Sequence, residues 1–155
     1  MTEQDLINLR KTIYLAIQST VNFDECAHKI LKMNIAKGYE HELVDMILEC
    51  CMMERIYQSF FGLLAERFCQ VDDKFKELFL QAFLNNYNNI FKQEANKIRN
   101  LAHLFGHLFY RKALDWRVFQ AIRLTPDSTT AAARMFLKIL LKDIAENMGI
   151  NNFVQ

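Results

Sequence analysis

Two histidines stand four residues apart in the stretch NKIRNLAHLFGHLF, Asn96 to Phe109. On a helix, His103 and His107 project from one face, the geometry in which a helical pair holds zinc. A hydrolase of that kind needs a glutamate directly after the first histidine to activate the bound water. Leu104 stands there instead, followed by Phe105 and Gly106, and nothing nearby suggests a third ligand. The same face carries Asn96, Arg99 and Asn100, so solvated or hydrogen-bonded histidines are expected, with no metal residue.

The four cysteines, Cys26, Cys50, Cys51 and Cys69, form no CxxC pair. Cys50 and Cys51 are adjacent, and successive side chains on a helix diverge by about 100°. All four lie among apolar residues, which points to reduced, buried thiols of an intracellular protein, without disulfides or zinc. There is no G-x-x-x-x-G-K-[ST] loop to cradle phosphates and no G-x-S-x-G elbow to present a serine. Carboxylates at Glu40, Glu42, Asp72 and Asp73 sit near expected helix starts, where capping accounts for them. Glu49 and Glu54 could pair with Arg55. No catalytic or cofactor-binding residue is identified, and the chain is expected not to be an enzyme and to carry no cofactor.

The elements that position these residues are helical. With 4 glycines and 1 proline in 155 residues, the chain lacks the turns that a sheet protein needs. Its 52% hydrophobic content, including 13 Phe, suffices for one domain with a real core. The apolar stripes run Leu6–Ile17, Phe23–Leu31, Leu43–Cys51, Phe60–Phe68, Phe75–Tyr87 and Ile98–Leu108. Asn22 with Glu25 has the form of a capping box, Gly38 suits a helix end, and Asp72 or Asp73 can cap the fifth stripe. A short helix through Trp116, Phe119 and Ile122 follows. The last starts with Thr125 as N-cap and Pro126 at its first position, and stops at Gly149. About eight helices are expected, all-α, with Phe60, Leu64, Phe68, Leu101 and Leu108 largely buried. Gly62, inside an apolar run, marks a place where another helix backbone approaches. No apolar run reaches the length of a membrane span, and no secretory signal stands at the start.

The segment ECCMMERIYQSFFGLLAERFC (Glu49 to Cys69), with DLINLRKTIYL, NKIRNLAHLFGHLF and IRLTPDSTTAAARMFLKILLKDI, closely resembles the MA-three domain of nucampholin-type pre-mRNA-splicing factors. The likeness covers nearly the whole chain, in order. It implies one MA-three domain over residues 1–155, a HEAT-like stack of antiparallel helical pairs, belonging to a larger nuclear splicing factor. In that family a separate middle domain, absent here, carries the principal grip on the DEAD-box helicase of the exon junction complex. Spliceosomal core proteins are the other implied partners.

Two functional classes follow. We favour a non-catalytic protein-interaction scaffold, monomeric in isolation, over a helical module that binds pre-mRNA directly. The net charge of +1 is too small for a strongly basic groove, and the run Lys92, Lys97, Arg99, Arg111, Lys112 and Arg117 is interrupted by Glu94 and Asp115. Lys97, Arg99, Asn100 and Arg123 are the candidate protein-binding residues. Arg99 and Asn96 also have local roles open to them, an ion pair and a helix cap. Lys97 and Asn100 have no evident internal task.

Overall fold

A computed structural model describes residues 1–121 and 130–148, and among these every regular element is helical. The α-helices are α1 (Glu3–Gln18), α2 (Phe23–Leu31), α3 (Glu40–Met53), α4 (Ser59–Val71), α5 (Asp73–Asn88), α6 (Ala95–Tyr110) and α7 (Ala131–Met148). Two 3-10 turns, Ile90–Lys92 and Trp116–Ala121, complete the set, the second standing where a short helix is expected. Ile122, Thr125, Pro126 and Gly149 lie outside the described residues. Within them, α7 opens at Ala131, and the Thr130 hydroxyl accepts from the Ala133 amide at 3.1 Å.

Local chemistry sets the helix ends. The Thr2 hydroxyl accepts from the Asp5 amide while Asp5 accepts from Thr2, a reciprocal box at the start of α1. The Asn22 side chain accepts from the amides of Asp24 and Glu25. Asp72 alone separates α4 from α5, and its carboxylate accepts from the Lys74 amide at 2.9 Å. Gly38 is not a helix end: α2 stops at Leu31, and Gly38 sits in the following loop with φ +94°, where it relieves a left-handed backbone.

The helices stack as HEAT-like pairs. α1 packs on α2, and that pair lies against α3 and α4, which pack on each other. α6 lies against both α3 and α4 on one side and against α7 on the other. α6 is therefore the main element to which the last helix is joined, with the Ile90–Lys92 turn and α5 adding contacts. Leu64, Phe68, Leu101 and Leu108 are fully buried as expected. Phe60 is only half-buried, because the first turn of α4 faces the open edge beside the α1–α2 loop. At the centre the Phe83 ring meets Phe105 and Phe109 at 5.2 Å, both edge-on, and Phe136 at 5.9 Å, which ties α5, α6 and α7 together.

All four cysteines are buried free thiols. Burial pushes Cys26 and Cys50 up from 9.0 to about 11 and Cys69 to about 12, and it raises Cys51 as well. Above pH 9 an unfolded thiol loses its proton while the folded one keeps it. The stability from these neutral thiols is thus fully present below pH 9 and falls as pH rises towards 11. We expect a thiol-exchange reagent near neutral pH to label none of the four in the native chain and all of them after denaturation. Rapid native-state labelling of any one would contradict this burial.

Candidate interaction site

Along α6, Asn100, His103 and His107 recur at spacings of three and four residues, and Arg111 continues the series just past the helix end. They form one polar file on a helix whose other residues are largely core. Every member of that file has a partner on a neighbouring helix.

Asn100 is 1% exposed, and its amide donates to the carbonyls of Cys51 at 3.0 Å and Glu54 at 2.7 Å. Those carbonyls lie at the end of α3, where a helix leaves acceptors without intrahelical donors. The Cys51 thiol in turn points at the Asn100 carbonyl, 3.6 Å away. One side chain of α6 thus caps α3. This is the internal task that the sequence did not disclose, and it removes Asn100 from any partner surface.

His103 places Nδ1 2.5 Å from Oδ2 of Asp143 on α7, with the Tyr57 ring 5.3 Å from its own. His107, 8% exposed, places Nε2 2.8 Å from Oε1 of Glu66 on α4. Glu66 is itself buried and also accepts from Arg111 Nε at 3.0 Å and from Gln70 at 3.4 Å. A carboxylate oxygen accepts, so Nε2 carries a proton toward Glu66, and the Tyr110 hydroxyl lies 3.0 Å from Nδ1. The two histidines therefore hold different carboxylates on different helices and do not converge on one point. Among the described residues, no three His, Cys, Asp or Glu side chains are grouped to hold a metal ion.

Gly62 belongs to the same seam. A Cβ there would lie 2.5 Å from the Tyr57 hydroxyl and 2.8 Å from Cγ of His107. The close neighbours are two side chains, not the helix backbone expected from the sequence. A similar tie joins α1 to α3. Arg10 donates through Nε and a terminal nitrogen to Glu42 at 2.7 and 3.1 Å, and these bonds hold the Glu42 carboxyl below the usual range. Glu66 was missed in the sequence, and Glu42, read there as a carboxylate at a helix start, instead holds Arg10. Their signal is a carboxylate on the apolar face of a helix, in LLAERF and HELVDM, where only a partner on another helix makes burial tolerable.

The remaining candidates divide differently from expectation. Lys97 is half-buried and Arg99 exposed, and neither has an ion pair or hydrogen bond among the described residues. Arg99 does not find the carboxylate that its position suggested. Arg123 lies outside the described residues. Of the basic run, Arg111 is taken by Glu66, Arg117 lies 3.8 Å from Asp115, and Lys92 sits over the Phe91 ring. Arg67 pairs with Asp24 at 3.4 Å, whereas Arg55 pairs with neither Glu49 nor Glu54.

The family model for the MA3 domain matches residues 9–115. The pre-mRNA-splicing factor CWC22 homolog of Mus musculus is 46% identical over 149 residues, which is 96% of this chain and 16% of that protein. The Homo sapiens homolog gives the same identity and coverage. Pre-mRNA-splicing factor cwf22 of Schizosaccharomyces pombe is 43% identical over 154 residues, 99% of this chain and 17% of that protein. The chain thus spans about a sixth of the length of these curated relatives.

Asn100 and its neighbour Arg99 provide a contrast within one turn. Asn100→Ala strands two buried carbonyls and is expected to cost about 2–4 kcal/mol, at about 1–3 kcal/mol for each unsatisfied group less partial rehydration. Arg99→Ala should leave the urea midpoint unchanged. Equal midpoints for the two variants would contradict the cap.

Proposed function

The chain belongs to the MA3-domain family, in the branch formed by the CWC22-type pre-mRNA-splicing factors, and on that premise we propose that it is a non-catalytic scaffold module of the splicing machinery. The observation that carries the reading is the fate of the reactive side chains. His103 and His107 are matched with carboxylates on other helices, a use that stiffens a stack and, among the described residues, groups no three side chains for metal chemistry. A rigid helical stack offers its outer faces and loop ends to other proteins.

In this reading the module works in the nucleus. It helps a larger protein bring the DEAD-box helicase of the exon junction complex to spliced mRNA, while a middle domain outside this chain holds the helicase. Spliceosomal core proteins are its direct partners. The first turns of α6 supply part of the contact, through Lys97 and Arg99, with Arg123 as the third cation. The runner-up, direct binding to pre-mRNA, is less well supported, because Arg111 is drawn off by Glu66, Arg117 lies near Asp115, and Glu94 interrupts the run.

The test is a charge reversal at two of these cations. Lys97→Glu with Arg123→Glu is expected to reduce recovery of spliceosomal proteins several-fold from nuclear extract, with the melting temperature unchanged. Wild-type recovery at an unchanged melting temperature would overturn this surface. In parallel, single-stranded RNA should bind weakly, with no steep dependence on salt; tight binding that collapses between low and physiological salt would favour the RNA reading.

A further inference from the structure

One end of the stack exposes large aliphatic side chains with nothing covering them. Val21, in the α1–α2 loop, is 98% exposed, while Met53 and Ile56, flanking the α3–α4 turn, are 70% and 71% exposed. The two connections lie together, because Val21, Thr20, Glu54, Gln58 and Phe60 line one shallow cavity of about 220 Å³. The turn is held by the Asn100 amide, which grips the Glu54 carbonyl at 2.7 Å. That bond sets Arg55, the residue after Glu54, beside the turn of α6 that carries Arg99. Both guanidinium groups are exposed and lack an ion pair among the described residues.

Solvated loops do not ordinarily present three large aliphatic side chains at this exposure on two adjoining connections, and such apolar exposure suits a binding edge. The unpaired arginines give it a sign. Neither Arg55 nor Arg99 is matched by a carboxylate among the described residues, and a guanidinium fork takes one bidentately. Resting on the scaffold reading, we propose that the edge formed by Val21, Met53 and Ile56, flanked by Arg55 and Arg99, docks an acidic amphipathic segment of a partner protein. Its apolar side chains cover the aliphatic edge, and its carboxylates meet the two arginines. A nucleic acid fits less well, since single strands are held by stacking on free aromatic faces. The rings here are engaged: Phe60 packs edge-on with Phe61 at 5.3 Å, and Tyr57 lies on His103.

The edge is fixed before a partner arrives. The Asn100 clamp and the Tyr57–His103 contact hold the turn from both of its ends, so docking does not have to order the loop. The cost of binding then falls mainly on the incoming segment.

The probe is a fluorescein-labelled peptide of about 16 residues with leucines on one helical face and glutamates on the other, read by anisotropy against the 155-residue chain. Saturable binding is expected. Met53→Ser with Ile56→Ser, and separately Arg55→Ala with Arg99→Ala, should each weaken it by at least about tenfold. All four side chains are exposed, so the melting temperatures should match the wild type. A charge-matched peptide without the leucine face should bind at least about tenfold less tightly. No peptide binding, or wild-type affinity retained by either variant, overturns the proposal. So does a uridine oligonucleotide that binds more tightly than the peptide and is lost with the arginine variant. The Lys97→Glu, Arg123→Glu recovery experiment tests the scaffold reading separately: reduced recovery there without peptide binding would sink this edge alone.

Discussion

A carboxylate placed between packed helices must be given donors, and that requirement shapes the middle of this molecule. Glu66 keeps 9% of its side chain accessible, and its oxygens accept from His107, Arg111 and Gln70. Two of the three donors, His107 on α6 and Arg111 just past its end, come from the neighbouring element, so the carboxylate fixes the register of α4 on α6. Removing one partner of a buried pair of this kind typically costs about 3–5 kcal/mol, because a buried charge is then left unmatched. Gly62 follows from the same arrangement, since His107 can reach Glu66 only by passing over a residue without a Cβ.

The other ties repeat this logic along the stack. Arg10 with Glu42 joins α1 to α3, Asn100 joins α6 to the end of α3, and His103 with Asp143 joins α6 to α7. Apolar burial supplies most of the driving force for folding, but it is not directional. Hydrogen bonds with fixed donors and acceptors select one register among the several that a phenylalanine-rich core would accept. The outcome is a set of helix pairs held at defined offsets, with loop ends whose positions are set from behind.

Much of this architecture was legible in the sequence. The apolar spacing located the seven α-helices of the described residues, because a phase of three and four residues persists wherever one face is buried. The resemblance carried by the Glu49–Cys69 segment agreed with the stack that the helices form. The ends were harder to read. Gly38 marked a loop, not the helix end that its type suggested, because α2 had already stopped at Leu31. The polar residues of α6 were harder still: Asn100, a candidate for a partner surface, is buried, while Arg99, for which an ion pair was one open role, makes none among the described residues. Those assignments depend on which helix lies opposite, a long-range fact with no local trace. The carboxylates at Glu66 and Glu42 carried the missing signal, since a charge in the middle of an apolar face calls for a partner.

The account stands or falls on the seam between α4 and α6. Its most direct measurement is a double-mutant cycle on Glu66 and His107, with the alanine variants compared by urea unfolding. If the pair fixes the register, the two single substitutions will not add, and the coupling energy will be about 1–3 kcal/mol in favour of the pair. Additive losses, with a coupling indistinguishable from zero, would show that core packing alone sets the stack and that the buried carboxylate is incidental.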